Sequence, residues 1–279
     1  MDGFFLLNKE KGITSNQLVQ NIKKSLKFKK VGHLGTLDPM ATGLMVIAAN
    51  RATKFSSYFL ESDKSYYATV KLGSSTDTDD ALGKIIETSD NLPTEEHTHE
   101  VLNSFIGQSL QMAPFYSALK HKGKPLYKYA REGDLISKPP REINVFSIKD
   151  FIFDQDECSF LIHCSKGTYI RSIARDLGKK LGCGAHLSGL KRVSQGKFNI
   201  NQALNTDEVE IKNLISIEEA FKAFSNIKLQ NDQLKIFLNG GKLKNINCED
   251  NDYRIYDLSS NFLGIGNVSN NVLALKQLV

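Results

Sequence analysis

Apolar positions along this chain follow three spacings, and each predicts a different kind of element. Gly3 to Asn8 holds Phe4, Phe5, Leu6 and Leu7 in an unbroken run, which reads as a short strand. From Ser15 the period lengthens. Leu18, Val19, Ile22 and Leu26 recur on one helical face, with Ser15 as the expected N-cap and Lys23, Lys24, Lys27, Lys29 and Lys30 on the opposite face. Leu44 to Ala49 is again continuous and apolar, a second strand, and Tyr66 to Leu72 alternates with period two until Gly73 ends it. Residues 74–93 read as an acidic loop. Thr94 caps a helix that turns Val101, Leu102 and Phe105 inward. Val145 to Phe153 and Cys158 to Cys164 are strands, and Thr168 to Leu181 is a helix with Ile170, Ile173, Ala174 and Leu177 on one side. Arg171 and Arg175 are neighbours one turn apart on it. Residues 201–227 read as acidic and helical. Beyond a boundary near Ser225 to Lys228, short apolar runs separated by glycine or asparagine turns suggest a small β unit.

One region fits none of these periods. Met112 to Lys138 is irregular, with Pro114, Gly123, Pro125 and Gly133, and it interleaves Tyr116, Tyr127 and Tyr129 with Lys120, His121, Lys122, Lys124, Lys128 and Arg131. Aromatic rings among cations are what a surface needs to stack bases and bind phosphates. Charge sharpens that picture. The net charge is +5, but residues 111–149 hold eight Lys/Arg against three acids and residues 166–197 hold eight against one. Residues 77–100 reverse the balance, with eight acids against one lysine. Two basic segments in such a chain point to polyanion-facing surfaces.

Composition narrows the rest. At 279 residues, 41% hydrophobic and 24% charged, the chain has the make-up of a soluble globular protein of one or two domains. No apolar run is long enough to span a bilayer and no basic-then-apolar leader opens the chain, so a cytoplasmic location without membrane contact is expected. Cys158, Cys164, Cys183 and Cys248 have the spacing of neither a zinc site nor a disulfide framework and are expected to be reduced and mostly buried. His97 and His99 are expected on a surface loop, and no metal site is expected.

The densest chemical signal is Gly32-His33-Leu34-Gly35-Thr36-Leu37-Asp38-Pro39-Met40-Ala41-Thr42-Gly43. Its glycines permit backbone that other residues avoid, and Pro39 forces Asp38 out of the helical region. A stiff loop presenting one carboxylate follows, anchored by the apolar run after it. Read locally, that Asp is either a turn residue satisfying amides or a held functional carboxylate.

This stretch closely resembles the catalytic signature of the TruB-type tRNA pseudouridine synthases. So do Leu6-Leu7-Asn8-Lys9 with Gly12-Ile13-Thr14-Ser15, Lys64-Ser65-Tyr66 with Leu72-Gly73 and Thr76-Asp77-Thr78-Asp79-Asp80, and Cys164-Ser165-Lys166-Gly167-Thr168-Tyr169-Ile170-Arg171 with Gly182-Cys183-Gly184-Ala185-His186-Leu187. The matches keep the family's order across about residues 3–197.

The resemblance implies an α+β protein: a mixed, mainly antiparallel sheet flanked by helices, a basic RNA-binding insertion at about 111–141, and a small PUA-like β domain. Residues 1–226 would form the catalytic domain and 227–279 the β domain. It implies isomerisation of uridine to pseudouridine at position 55 in the T arm of tRNA, with no cofactor. Asp38 becomes the catalytic aspartate, nucleophile or base at the ribose, and Arg171 the cation that pairs with it. Tyr66 stacks on the flipped base, Tyr169 is a second pocket tyrosine, His33 helps fill the space the base vacates, and Leu190 is an apolar wall. Asp80 is an acid near the site. The insertion, with Lys120, Lys122, Lys124, Tyr127, Lys128 and Arg131, resembles the part with which stand-alone enzymes grip their own substrate, so no guide RNA is expected and a monomer suffices. Two other readings use the same residues: a tRNA-binding or folding module without catalysis, and a nucleoside hydrolase, which also sets a carboxylate near an anomeric carbon.

Overall fold

The computed structural model describes Met1 to Val279. Its centre is a mixed sheet whose main path runs Ile215–Ser216, Gly3–Lys9, Thr42–Ala49, Ala185–Gln195, Lys64–Leu72, Glu157–Cys164, Arg141–Asp154, Gly107–Gln111. Neighbours are antiparallel except at one seam, where Ala185–Gln195 runs parallel to Thr42–Ala49 through the pairs Lys191↔Thr42 and Arg192↔Gly43. A second, five-stranded sheet is formed by Asn226–Lys228, Asn251–Tyr256, Phe262–Ser269, Val272–Leu278 and Leu243–Lys244.

The run Phe4 to Leu7 fails to alternate because both faces of its strand are covered. Phe5 and Leu7 pack with Leu18, Val19 and Ile22 of helix α1 (Ser15–Ser25). Phe4 and Leu6 pack on the other side with Phe55, Phe59 and Phe221, and Ile265 of the second sheet joins that cluster. Lys64–Leu72 alternates cleanly, with Tyr66, Ala68, Val70 and Leu72 in the core.

Several elements differ from the sequence expectation. The N-cap of α1 is Thr14: its hydroxyl accepts from the Gln17 N–H at 3.1 Å, and the Gln17 amide oxygen accepts from the Thr14 N–H at 2.8 Å. Ser15 is thereby freed for another task. Residues 74–93 contain a hairpin, Ser74–Thr76 with Ile85–Thr88. After the short helix α2 (Ser56–Leu60), helix α3 (Glu95–Asn103) is capped by Thr94 as expected, but it also carries His97 and His99, and the His99 ring stacks on Phe151 at 4.6 Å. The insertion holds a short hairpin at Lys120–His121 and Lys124–Pro125 and a helix α4 (Leu126–Arg131), anchored by the buried Leu126 and Ala130.

Helix α5 begins at Ile170 and runs to Leu181, where Gly182 closes it in the left-handed conformation at φ 73°. Residues 201–227 are mostly turns and irregular chain, with 3-10 turns at Ile200–Gln202 and Ile211–Asn213, the two-residue strand Ile215–Ser216, and only the single turn α6 (Ile217–Ala220) in α-helix. Leu234 to Leu238, one of the short apolar runs expected to form the β unit, lies in helix α7 (Asn231–Leu238), not in a strand. Cys158, Cys164 and Cys183 are buried thiols and Cys248 is half-buried. No helix is long and apolar enough to cross a membrane.

Candidate active site

The Asp38 loop is fixed from several directions, all through its backbone. Ser15 is buried at 3% exposure, and its hydroxyl both accepts from the Leu37 N–H (2.9 Å) and donates to the Leu37 carbonyl (2.8 Å). The Gly12 N–H donates to the Pro39 carbonyl at 2.8 Å, and the Ala41 N–H donates to that of Asp38 at 3.0 Å. From beneath, Arg192 donates to the carbonyls of Leu44 (2.6 Å) and Gly35 (3.1 Å), while the Gln195 amide donates to those of Leu34 and Phe59. Gly43 makes the seam possible: at φ +101° its absent Cβ would lie 2.3 Å from the Arg192 carbonyl oxygen.

Helix α5 brings Arg171 to this loop. Its guanidinium is 5% exposed, with Nε 2.9 Å from Asp38 Oδ2 and Nη2 donating to Asp38 Oδ1 at 3.3 Å. The same group lies 3.4 Å from Asp80 Oδ2 and donates to the carbonyls of Thr78 (3.1 Å) and Tyr116 (2.8 Å). Asp80 is itself held, accepting from the Thr78 hydroxyl at 2.8 Å and the Leu82 N–H at 3.0 Å. Arg171 is therefore not a surface arginine awaiting phosphate. One cation is shared by two carboxylates, and burial pushes the Asp38 carboxyl upward, Arg171 opposing and Asp80 adding to the rise.

Around this pair lies a cavity of 260 Å³ that gathers Asp38, Tyr66, Tyr169, Arg171, Leu190 and Arg192. A volume on that order suits a single small ligand rather than folded RNA. Tyr66 is buried, and desolvation raises its phenol, so the hydroxyl stays protonated. An adjoining, wider cavity of 690 Å³ shares Asp38 and Arg171 and adds His33, Asp80, Tyr127 and Arg131. His33 thus sits beside the inner cavity rather than in it. Its Nδ1 is buried without a partner, and burial lowers its pKa, so the ring is neutral. Arg131 lies over the Tyr127 ring at 5.6 Å, and Lys124 lies over the Tyr129 ring at 4.4 Å while pairing with Glu132. Lys120, Lys122 and Lys128 are exposed on the insertion.

Three cations in or beneath the site carry no local signal strong enough to single them out. Arg192, at 1% exposure, falls within the basic segment 166–197 that reads as surface, yet it and Arg171 belong to the interior. Strand alternation offers a hint: Leu190 and Arg192 are two residues apart and line the same cavity, as do Lys64 and Tyr66. The Lys64 ammonium donates to the carbonyls of Leu60 (3.0 Å) and Ser62, and burial brings it down to about 8. Lys9, fully buried, donates to the carbonyls of Glu10 and Ile13 at 2.8 Å each and is likewise lowered to about 8.

Fold and comparisons together define the class. The chain aligns over 99% of its length with a protein in "Crystal Structure of a Cbf5-Nop10-Gar1 Complex" (TM-score 0.72, 22% identity, 84% of that chain). It aligns similarly with one in "Structure of H/ACA RNP bound to a substrate RNA containing 2'-deoxyuridine" (TM-score 0.71, 21% identity, 84% of that chain). At these identities the likeness is one of fold, that of the pseudouridine synthases.

Sequence models carry the assignment further. Residues 23–170 match the TruB family pseudouridylate synthase N-terminal domain, 171–225 the tRNA pseudouridylate synthase B C-terminal domain, and 225–279 the pseudouridine synthase II TruB C-terminal model. The chain belongs to the TruB family of pseudouridylate synthases. Among curated relatives, a tRNA pseudouridine synthase B of Francisella philomiragia subsp. philomiragia is 42% identical over 92% of this chain and 88% of its own length. That of Methylobacillus flagellatus is 39% identical over 95% of this chain and 91% of its own length, and that of Pasteurella multocida 36% identical over 100% and 95%.

Proposed function

We propose that this chain isomerises uridine to pseudouridine at position 55 in the T arm of tRNA, with Asp38 acting on the ribose. The single observation that carries the reading is the Asp38–Arg171 pair, set on the wall of a nucleoside-scale cavity beside Tyr66. The reaction breaks the bond from N1 to C1′, turns the uracil and joins C5 to C1′. The C5 hydrogen leaves as a proton and N1 gains one, so no cofactor is consumed. A base in a folded arm reaches such a cavity only by flipping out of its stack, which costs a few kcal/mol. Tyr66 and Leu190 offer apolar faces to the flipped base, with Tyr169 beside them. Arg171 aligns both oxygens of Asp38 and holds it ionised against the desolvation that bound RNA adds. The carboxylate then either bonds to C1′ or takes a ribose proton.

The outer cavity and the insertion fit the flanking RNA. Tyr127 and Arg131 line the way in, and Lys120, Lys122, Lys124 and Lys128 stand where backbone phosphates would pass. His33 lines the outer cavity, suited to the space a flipped base leaves. We assign residues 1–226 to catalysis, including the insertion at about 111–141, and 227–279 to a PUA-like β domain, acting as a cytoplasmic monomer without a guide RNA. The insertion supports the absence of a guide, because it gives the chain its own RNA-gripping surface. The test is to incubate pure protein with unmodified tRNA and map pseudouridine. Modification at position 55 is the expected outcome. Product elsewhere would overturn the site assignment, released uracil would indicate a hydrolase, and binding without product would leave a tRNA-binding module.

A further inference from the structure

The basic insertion leaves the sheet at Gln111 and returns at Arg141, and these two residues are cross-strand partners at its root. Both reach the same target, Tyr169. Gln111 is 2% exposed and spends its whole amide on the Tyr169 backbone: Oε1 accepts from the Tyr169 N–H at 2.8 Å, and Nε2 donates to the Tyr169 carbonyl at 3.1 Å. Arg141 places its guanidinium over the Tyr169 ring at 4.4 Å and donates to the Gly167 carbonyl. Tyr169 is the N-cap of α5 and has no side-chain cap of its own. Gln111 therefore fixes the peptide planes from which the helix, and Arg171 two residues on, take their direction.

The next residues continue the lacing. The Met112 carbonyl accepts from the Ser172 hydroxyl (2.9 Å) and from Arg175 Nη2 (3.2 Å), and the Tyr116 carbonyl accepts from Arg171 itself (2.8 Å). The insertion is thus not hung on the sheet edge independently of the site. Its two roots grip one pocket tyrosine by backbone and by ring.

We infer that Gln111 and Arg141 are positioning residues that set Tyr169 and Arg171 for the reaction and tie the insertion's placement to the catalytic pair. The inference rests on the enzymatic reading above. Gln111 does the more specific work, since only a group with one acceptor and one donor satisfies both Tyr169 backbone atoms.

The test uses the full chain with an unmodified tRNA transcript, measuring the single-turnover rate constant and the tRNA dissociation constant separately. Gln111→Met keeps the volume and removes both bonds. The expected result is a rate constant lowered roughly tenfold or more, with affinity within about threefold of wild type, as misplacement of reacting groups gives. Arg141→Met shifts the rate in the same direction. Gln111→Glu supplies the readout that a merely structural role would not move. Its carboxylate cannot donate to the Tyr169 carbonyl, whereas its protonated form can. Its rate relative to wild type should therefore climb as pH falls from about 8 to about 5, a buried Glu titrating above its usual value.

Wild-type rates in Gln111→Met, or a flat ratio for Gln111→Glu, would overturn the clamp. So would equal losses of rate and affinity together with a collapsed melting transition in both. If wild type itself makes no pseudouridine, the enzymatic reading falls and the inference falls with it. An active wild type beside an unaffected Gln111→Met removes the clamp alone.

Discussion

Replacing Ser15 by alanine isolates the attachment of the catalytic loop. The hydroxyl is enclosed and serves both backbone atoms of Leu37, the residue immediately before Asp38. Its removal leaves a buried N–H and a buried carbonyl without partners. At about 1–3 kcal/mol for each unsatisfied group, the loss is about 2–6 kcal/mol. It must appear in one of two places. If the loop stays where it is, the folded state carries the whole cost, and a denaturant titration reads it directly. If the loop relaxes outward to find water, the stability loss shrinks, but Asp38 moves, and a displacement of about 1 Å costs about a hundredfold in rate. Denaturation midpoints and single-turnover rates on tRNA carrying tritium at uridine C5 measure both arms, since C5 gives up its hydrogen. Thr14→Ala is the matched control one residue away. It removes the true helix cap and costs about 1 kcal/mol, with the rate unchanged, because the Thr14 hydroxyl bonds within its own helix turn. The reasoning is refuted if Ser15→Ala stays within about 0.5 kcal/mol of wild type and within about twofold of its rate.

Other expectations are as direct. Asp38→Asn should bind tRNA and yield no pseudouridine, and at neutral pH it should melt no lower than wild type. The reason is that the folded-state pKa of Asp38 is raised, so its charged form is the costlier one in the fold. The wild type should then gain stability relative to the Asp38→Asn variant as pH falls through that raised value toward the unfolded one, and its turnover should fail over the same acid range; paired melts across pH would reveal the opposite sign if the reasoning is wrong. Changing Lys120, Lys122 and Lys128 to glutamine should flatten the dependence of log affinity on log salt by about 2, as expected for lost phosphate contacts; an unchanged slope would place the RNA elsewhere. Gly43→Ala should destabilise by more than about 2 kcal/mol, because the new Cβ meets the Arg192 backbone at 2.3 Å and φ is +101°; a wild-type melting curve would contradict the seam described here.

Much of the site is legible in the chain itself. The glycine-rich Asp38 loop, Tyr66, Tyr169, Arg171 and Leu190 all stand out in the sequence, and they meet around one cavity. Local chemistry makes this possible, since turn residues, alternation and helical spacing act over a few positions. The same locality explains the misses. Thr14 and Ser15 are both good caps, and only the distant Leu37 decides which hydroxyl is needed elsewhere. Residues 201–227 have helical composition, yet Leu204 and Ile215–Ser216 are drawn into pairing with the Gly3–Lys9 strand, and the chain between these distant contacts is left as turns.

The sequence by itself determined the order of the elements, the carboxylate on its stiff loop and the family to which the chain belongs. Tertiary structure decided which charges serve the interior. Arg192 looks like any surface cation in a basic run, and becomes the post beneath the Asp38 loop only because the seam at Gly43 folds two distant strands together. Gln111 shows no signal until an edge strand lays its amide against Tyr169. In both cases a polar side chain is assigned its role by the backbone groups left unpaired around it, and those are set by contacts far apart in sequence.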